Sequence, residues 1–194
     1  MDPLIFWIIV IAAVLLIAAV IIKRKMPVGP PVPDNLREGE QLPDFSAVHE
    51  DGSTVRSSDL RGKPAVILFV RGNWCPFCSK QVEDITSHYK EINALGAALI
   101  FVTPKPLDTT RRVAEFFKVE FEFWLDESLE IAKSLGLISP AGVPDDYAVE
   151  YDQDTVWPTA LVVDKDGIIR YSKLSRLIFD RPSSAALLEE LRQL

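Results

Sequence analysis

Two cysteines and two histidines are the whole supply of thiols and imidazoles in 194 residues. That scarcity excludes a disulfide-stapled scaffold, which needs several bridges. It also argues against a structural zinc site. His49 and His88 are the only imidazoles available to complete a four-ligand set, and neither has ligand spacing to the cysteines. Basic excess is missing too: the formal net charge is −7 and the pI about 4.9, which speaks against nucleic-acid binding. No Lys or Arg precedes the first apolar run, which favours reading it as a retained anchor over the rival reading, a cleaved signal peptide. No internal repeat is visible.

What is there begins with that run. Leu4 to Ile22 carries no charge, and Lys23, Arg24 and Lys25 follow it. At about 1.5 Å per residue the run just reaches a hydrocarbon core of roughly 30 Å. The expectation is a retained transmembrane anchor over residues 1–25, with residues 4–22 in membrane lipid. The basic flank places the following domain on the cytoplasmic side, the extracytoplasmic side being the alternative. Residues 26–36 hold prolines at 27, 30, 31 and 33 and read as a semi-rigid extended linker. The remaining residues, 37–194, are the size of one domain.

Within that domain, Asp51-Gly52 and Asp166-Gly167 sit between alternating segments, a hairpin signal. "KPAVILFVR", Lys63 to Arg71, is a continuous apolar run, the pattern of a central strand covered on both faces. A helix is expected from Pro76 to about Leu95, ended by Gly96. "AALIFVT" reads as a second buried strand. "LDTTRRVAEFFKV" reads as a helix, "FEFWLD" as a short strand, and "ESLEIAKSLGL" as another helix. Ile138 to Val156 has no clear period and reads as a long acidic loop, its Asp and Glu forming a solvated face. A closing helix starts after Ser183 or Ser184 as cap. Helices alternating with strands, and a final hairpin, predict an α/β fold with a mixed central sheet flanked by helices.

Both cysteines fall in "VRGNWCPFCSKQVEDI", Val70 to Ile85. Cys75 lies where strand gives way to helix, with Pro76 at a tolerated first-turn position. A helix N-terminus offers unpaired N–H groups and partial positive charge, which favour a thiolate. That matters because an ordinary thiol is only about 3% ionised at pH 7. Cys78 lies one turn further on, in reach of a mixed disulfide or sulfenic acid on Cys75, and is the natural resolving thiol. Trp74 and Phe77 give an apolar rim. A structural disulfide here closes too small a loop to stabilise much. Two inert buried thiols are the remaining alternative.

"WCPFC" on a strand-to-helix turn resembles the active site of thioredoxin-fold proteins. "VWPTALVVDKDG", Val156 to Gly167, resembles the segment that faces that site. The longer stretch "LPDFSAVHEDGSTVRSSDLRGKPAVILFVRGNWCPFC" resembles the opening of the AhpC/TSA redoxins, often called peroxiredoxin-like proteins. The resemblance covers roughly Leu42 to Leu194. It implies a thioredoxin-like fold, a redox disulfide between Cys75 and Cys78, and a cis-proline at Pro158. That proline, with Trp157 and Thr159, would shape a groove beside Cys75. It also implies a thioredoxin-like reductant or a disulfide-bearing protein substrate as partner, and no organic cofactor or metal. The sequence departs from the P-x-x-x-T-x-x-C pattern of peroxiredoxins. Counted from Cys75, the Pro and Thr positions hold Leu68 and Gly72; counted from Cys78, they hold Arg71 and Cys75. The family arginine is also replaced, and Arg71 is a partial substitute, its plainer reading being a strand-end charge in solvent or paired with Glu83.

The expected activity is therefore a membrane-anchored thiol–disulfide oxidoreductase with an antioxidant role. A thiol-dependent peroxidase acting on hydrogen or organic peroxides is the first alternative. A non-catalytic redox-sensing module is the second, and copper delivery a weaker third.

Overall fold

The computed structural model describes residues 3–25, 29–72, 74–105, 121–177 and 179–194. Its organising element is β3 (Ala65–Phe69), every residue of which is buried. β3 lies parallel to β4 (Ala98–Thr103) and antiparallel to β8 (Thr159–Val163). Around these three run β5 (Glu122–Leu125), β1 (Ser46–His49), β2 (Thr54–Arg56) and β9 (Ile169–Leu174), in the order β2-β1-β5-β4-β3-β8-β9. The sheet is mixed, as expected, and the period of 2 along β3 divides its side chains between two cores. Ile67 and Phe69 join Leu36, Trp124, Leu137 and Leu161 on one face. Val66, Leu68 and Val70 join Phe101, Ile85, Leu187 and both cysteines on the other. A strand covered on both sides has no polar face to show, hence the unbroken apolar run.

Both Asp-Gly turns form. Gly52 and Gly167 take φ of 91° and 83°, the left-handed region that glycine enters without a Cβ penalty. In the second turn Asp164 Oδ1 accepts N–H bonds from Asp166 and Ile168, both at 2.9 Å, and Oδ2 accepts from Arg170 Nε at 2.7 Å. Ser183 caps the closing helix α6 (Ser184–Arg192), accepting from Ala186 N.

Three expected elements come out differently. The helix after Cys75 is two helices, α2 (Pro76–Ser87) and α3 (Tyr89–Ala94), with a break at His88. The hydroxyls of Thr86 and Ser87 donate to the carbonyls of Val82 and Asp84 at 2.8 and 2.7 Å. His88 Nδ1 lies 3.0 Å from the same Asp84 carbonyl. Side chains competing for ladder carbonyls in this way loosen a helix. The expected helix over 127–137 is a short α4 (Glu130–Ser134), started by the buried Asp126 carboxylate, which accepts from Ile131 and Ala132 N–H. The stretch 138–156 is not a loop. β6 (Ile138–Ser139) pairs antiparallel with β7 (Thr155–Val156), and a 3-10 turn at Asp145–Tyr147 leads into α5 (Ala148–Tyr151) between them. Residues 107–119, expected as a helix, lie outside the described residues.

The N-terminal residues form helix α1 (Pro3–Lys25), whose apolar side chains from Ile5 to Ile17 are largely exposed. The expected transmembrane helix is corrected: among the described residues no helix is long and apolar enough to cross a membrane. From Gly29 onward the proline-rich stretch is seated on the domain. Gly29 N donates to Arg176 O at 2.7 Å, and Leu36 is fully buried.

The Asp164 turn generates a stability test. Asp164→Ala leaves two backbone N–H groups and the Arg170 side chain without their acceptor. It should lower unfolding free energy by about 2 kcal/mol, read from the urea midpoint.

Candidate active site

β3 ends at Phe69, and the chain turns through Gly72, φ 112°, before α2 begins. A Cβ at Gly72 would lie 2.6 Å from a ring carbon of Tyr151, so the turn and the segment above it are fitted to each other. Cys75 is the N-cap of α2 and Pro76 its first residue. The Cys75 carbonyl accepts from Cys78 N at 3.0 Å and Ser79 N at 3.1 Å, which begins the helix and brings the second cysteine round to the first. Both thiols are free and both are buried, Cys75 with 0% and Cys78 with 1% exposure.

A buried sulfur is desolvated, which alone raises a thiol pKa. Cys75 is nevertheless pulled down to about 5. The largest cause is the hydrogen bond from the Cys78 thiol, which overrides burial; the Cys78 backbone N–H, Arg181 and Arg71 add to it. Cys78, as donor in that bond, moves the other way. Its pKa lies well above the ordinary thiol value because it holds the proton for Cys75, is buried, and faces the Cys75 charge. The pair thus divides into one thiolate and one retained thiol.

Two cations frame the pair. Arg71 is 7% exposed, donates from Nε to the Val156 carbonyl at 3.3 Å, and lies 5.3 Å from the Trp157 ring and 5.9 Å from the Trp74 ring. It neither points to solvent nor pairs with Glu83. Arg181, from the segment before α6, reaches Cys78 Sγ with Nη2 at 3.8 Å. Over the site lies the insertion between β6 and β7. Trp74 is in ring contact with Tyr147 at 6.3 Å and Tyr151 at 6.4 Å, and Lys105 Nζ lies 5.8 Å from the Tyr151 ring. Trp74 packs in turn against the core cluster that holds Cys75, and Cys75 has no exposed surface.

The other expected site residues fall near by. Phe77 is half-buried against the cysteine-bearing core, and Pro76 is exposed. Pro158 and Thr159 are buried, and the Thr159 hydroxyl donates to Trp157 O at 2.9 Å. Pro158 is corrected: its peptide bond is trans, as are all those described. The chain passes extended from β7 into β8, with Trp157 N donating to Leu137 O at 2.6 Å and Pro158 O accepting from Ser175 N at 2.8 Å. A straight passage between strands asks for no tight turn, and trans is the more stable form by about 0.5–1 kcal/mol. Sequence reasoning missed Arg181, Lys105, Tyr147 and Tyr151. The only signal was the spacing of four between the two tyrosines in a segment taken for a loop.

The fold and the paired thiols define a thioredoxin-fold redox protein. Residues 39–172 match the AhpC/TSA family, and the chain belongs to that family. It is 26% identical over 134 residues to the chloroplastic peroxiredoxin Q of Triticum aestivum, covering 69% of this chain and 57% of that one. The match therefore spans little more than half the length of that relative. It is 23% identical over 135 residues to the thiol-disulfide oxidoreductase ResA of Bacillus thuringiensis subsp. konkukian, covering 69% of this chain and 68% of that one. The crystal structure of peroxidoxin BcpB from Mycobacterium tuberculosis superposes with a TM-score of 0.67 at 20% identity, covering 82% of this chain and 98% of that one. The expected class, a thiol-based oxidoreductase, agrees with both kinds of relative. The expected location does not. With chloroplastic peroxiredoxins as relatives and no spanning helix among the described residues, the single-pass membrane placement of the domain is overturned, and the expected lipid contact of residues 4–22 is left without support.

The division of the proton between the thiols is directly measurable. Cys78→Ala removes the largest cause of the Cys75 shift, so the ultraviolet thiolate absorbance of Cys75 should titrate at higher pH, toward the ordinary value of about 8.5. Cys78→Ser keeps a hydroxyl donor and should hold the Cys75 titration well below that.

Proposed function

We propose that the protein is a thiol-dependent peroxidase of the peroxiredoxin type that resolves through its own Cys75–Cys78 disulfide. The observation that carries this reading is the combination of an ionised Cys75 with zero exposure. A thiolate with no exposed surface is reached only when the residues over it shift, and a peroxide asks for a far smaller opening than a disulfide on a folded protein. Cys75 thiolate attacks one peroxide oxygen and the O–O bond breaks. The leaving oxygen takes a proton as water or alcohol, and Cys75 becomes a sulfenic acid. The Cys78 sulfur then attacks the Cys75 sulfur, and the hydroxyl leaves as water with the Cys78 proton. A thioredoxin-like dithiol returns two electrons by exchange. Arg71 and Arg181 supply the positive field at the reacting sulfur that the departed Thr and Arg positions do not.

Thiol–disulfide exchange with a protein substrate is the second reading. It is favoured by the opposed shifts of the two cysteines and by the likeness to ResA. It requires the segment from Pro140 to Asp154 to move, since a disulfide on a folded partner has no path to Cys75 as the cap lies. Trp157, Pro158 and Thr159 would then form the docking side. A redox-sensing role without turnover would need neither the split proton nor the cations.

The reduced full-length protein, mixed with hydrogen peroxide in a stopped-flow instrument, separates these readings. Trp74 is the expected fluorescence reporter. Oxidation should outrun that of a free thiolate by at least about a hundredfold, as expected for positioned electrostatic stabilisation. Cys75→Ser should be silent, and Cys78→Ser should accumulate a sulfenic acid that a dimedone probe traps. Oxidation no faster than a free thiolate sinks the peroxidase reading and leaves exchange.

A further inference from the structure

Arg181 belongs to no motif, yet its guanidinium ends inside the redox centre. Nη2 lies 3.8 Å from Cys78 Sγ. Nε and Nη1 are buried and have no hydrogen-bond partner. Among the described residues no carboxylate pairs with Arg181; the neighbouring Asp180 is engaged by Lys173 at 3.0 Å. Arg71, the second guanidinium, is buried between two tryptophans with only a neutral carbonyl as acceptor. The negative charge that these cations face is on sulfur, and sulfur carries it only in the reduced state.

We infer that Arg181 is a positioning residue that sets the reduction potential of the Cys75–Cys78 pair, making the disulfide more oxidising by stabilising the dithiol form alone. The inference rests on the dithiol reading above. The half-reaction shows why. One thiolate and one thiol lose two electrons and one proton and become a disulfide, so the site loses its single negative charge. Two guanidiniums, Arg71 buried and Arg181 with its Nε and Nη1 buried, that shared a counter-charge then share none. Burial of an uncompensated charge is unfavourable, so oxidation is made harder. A group that stabilises the reduced form raises the potential. The effect does not depend on which oxidant collects the electrons, so it applies to peroxidase and exchange chemistry alike.

The test equilibrates the full-length protein with defined ratios of reduced and oxidised glutathione and measures the Cys75–Cys78 disulfide by thiol labelling and mass. Arg181→Gln and Arg181→Met, both neutral, should raise the equilibrium constant for oxidation by glutathione disulfide about tenfold, the size expected when a charge-assisted contact is lost from one state only. That is a potential ~30 mV more negative. Arg181→Lys keeps the charge and should stay within about twofold of the parent. Circular dichroism identifies any variant that does not fold, and two neutral variants of different shape guard against losing one. A folded neutral variant with an unchanged constant overturns the inference and leaves the dithiol reading standing. Equal shifts in the Lys and neutral variants also overturn it, because they report geometry rather than charge. A parent protein that forms no Cys75–Cys78 disulfide at any ratio overturns the dithiol reading itself.

Discussion

A charge held on sulfur away from water is the constraint around which this molecule is arranged. The interior of a protein solvates an ion poorly, so an isolated buried thiolate would take up a proton. Here the thiolate is kept by four separate contributions: the Cys78 thiol, the Cys78 backbone N–H, and two guanidiniums. They come from three parts of the fold. The helix start gives the first two, the end of β3 gives Arg71, and the segment before α6 gives Arg181. The same arrangement explains why the two cysteines, so close in sequence, have opposite acidities. One proton is shared unequally between them, and the sulfur that donates in their hydrogen bond, Cys78, keeps it.

Much of the scaffold was legible because local pattern and tertiary context agree in it. The run over Ala65–Phe69 is apolar at every position because the strand is covered on both faces, and its place between β4 and β8 follows. The Asp-Gly turns and the Ser183 cap were legible for equally local reasons. Elements that depend on competition were not. The break at His88 turns on Thr86 and Ser87 hydroxyls taking ladder carbonyls, which leaves no trace in hydrophobic periodicity. The two-residue strands β6 and β7 are too short to show a period, so the segment that covers the site looked like an acidic loop.

The site divides along the same line. Cys75, Cys78 and Trp74 announced themselves by spacing and by their place before a helix. Arg71 was visible but ambiguous, since a charge at a strand end usually faces solvent; only the two indole rings at 5.3 and 5.9 Å and the Val156 carbonyl show it turned inward. Arg181 was not legible at all, because contact with Cys78, 103 positions earlier in the chain, is a property of topology. The proline expected in cis shows the opposite error. A resemblance carried over a backbone geometry that the extended passage from β7 to β8 does not use.

The cap gives these observations a common logic. Covering Cys75 with aromatic rings removes water and so strengthens each contact to the thiolate, since charges act more strongly at low dielectric. It also raises the demand on those contacts, since the water they replace is gone. A site of this kind therefore needs more than a helix N-terminus, whose field falls off within a turn. It needs full charges, and the fold brings two. The cap itself is held by slender means: two residue pairs between β6 and β7, the Val143–Gln153 bond at 3.0 Å, and the Asp154 carboxylate on Ala141 N at 3.0 Å. Ala141 and Asp152, at its two ends, hold φ of 46° and 63° without being glycine, conformations that cost of order 1 kcal/mol or more each. The closed cover is thus the least favourable part of the backbone sitting over the most strongly stabilised charge. The ring contacts of Tyr147 and Tyr151 with Trp74 add to those bonds, so the order of the segment and the packing of the rim beside the thiolate support each other.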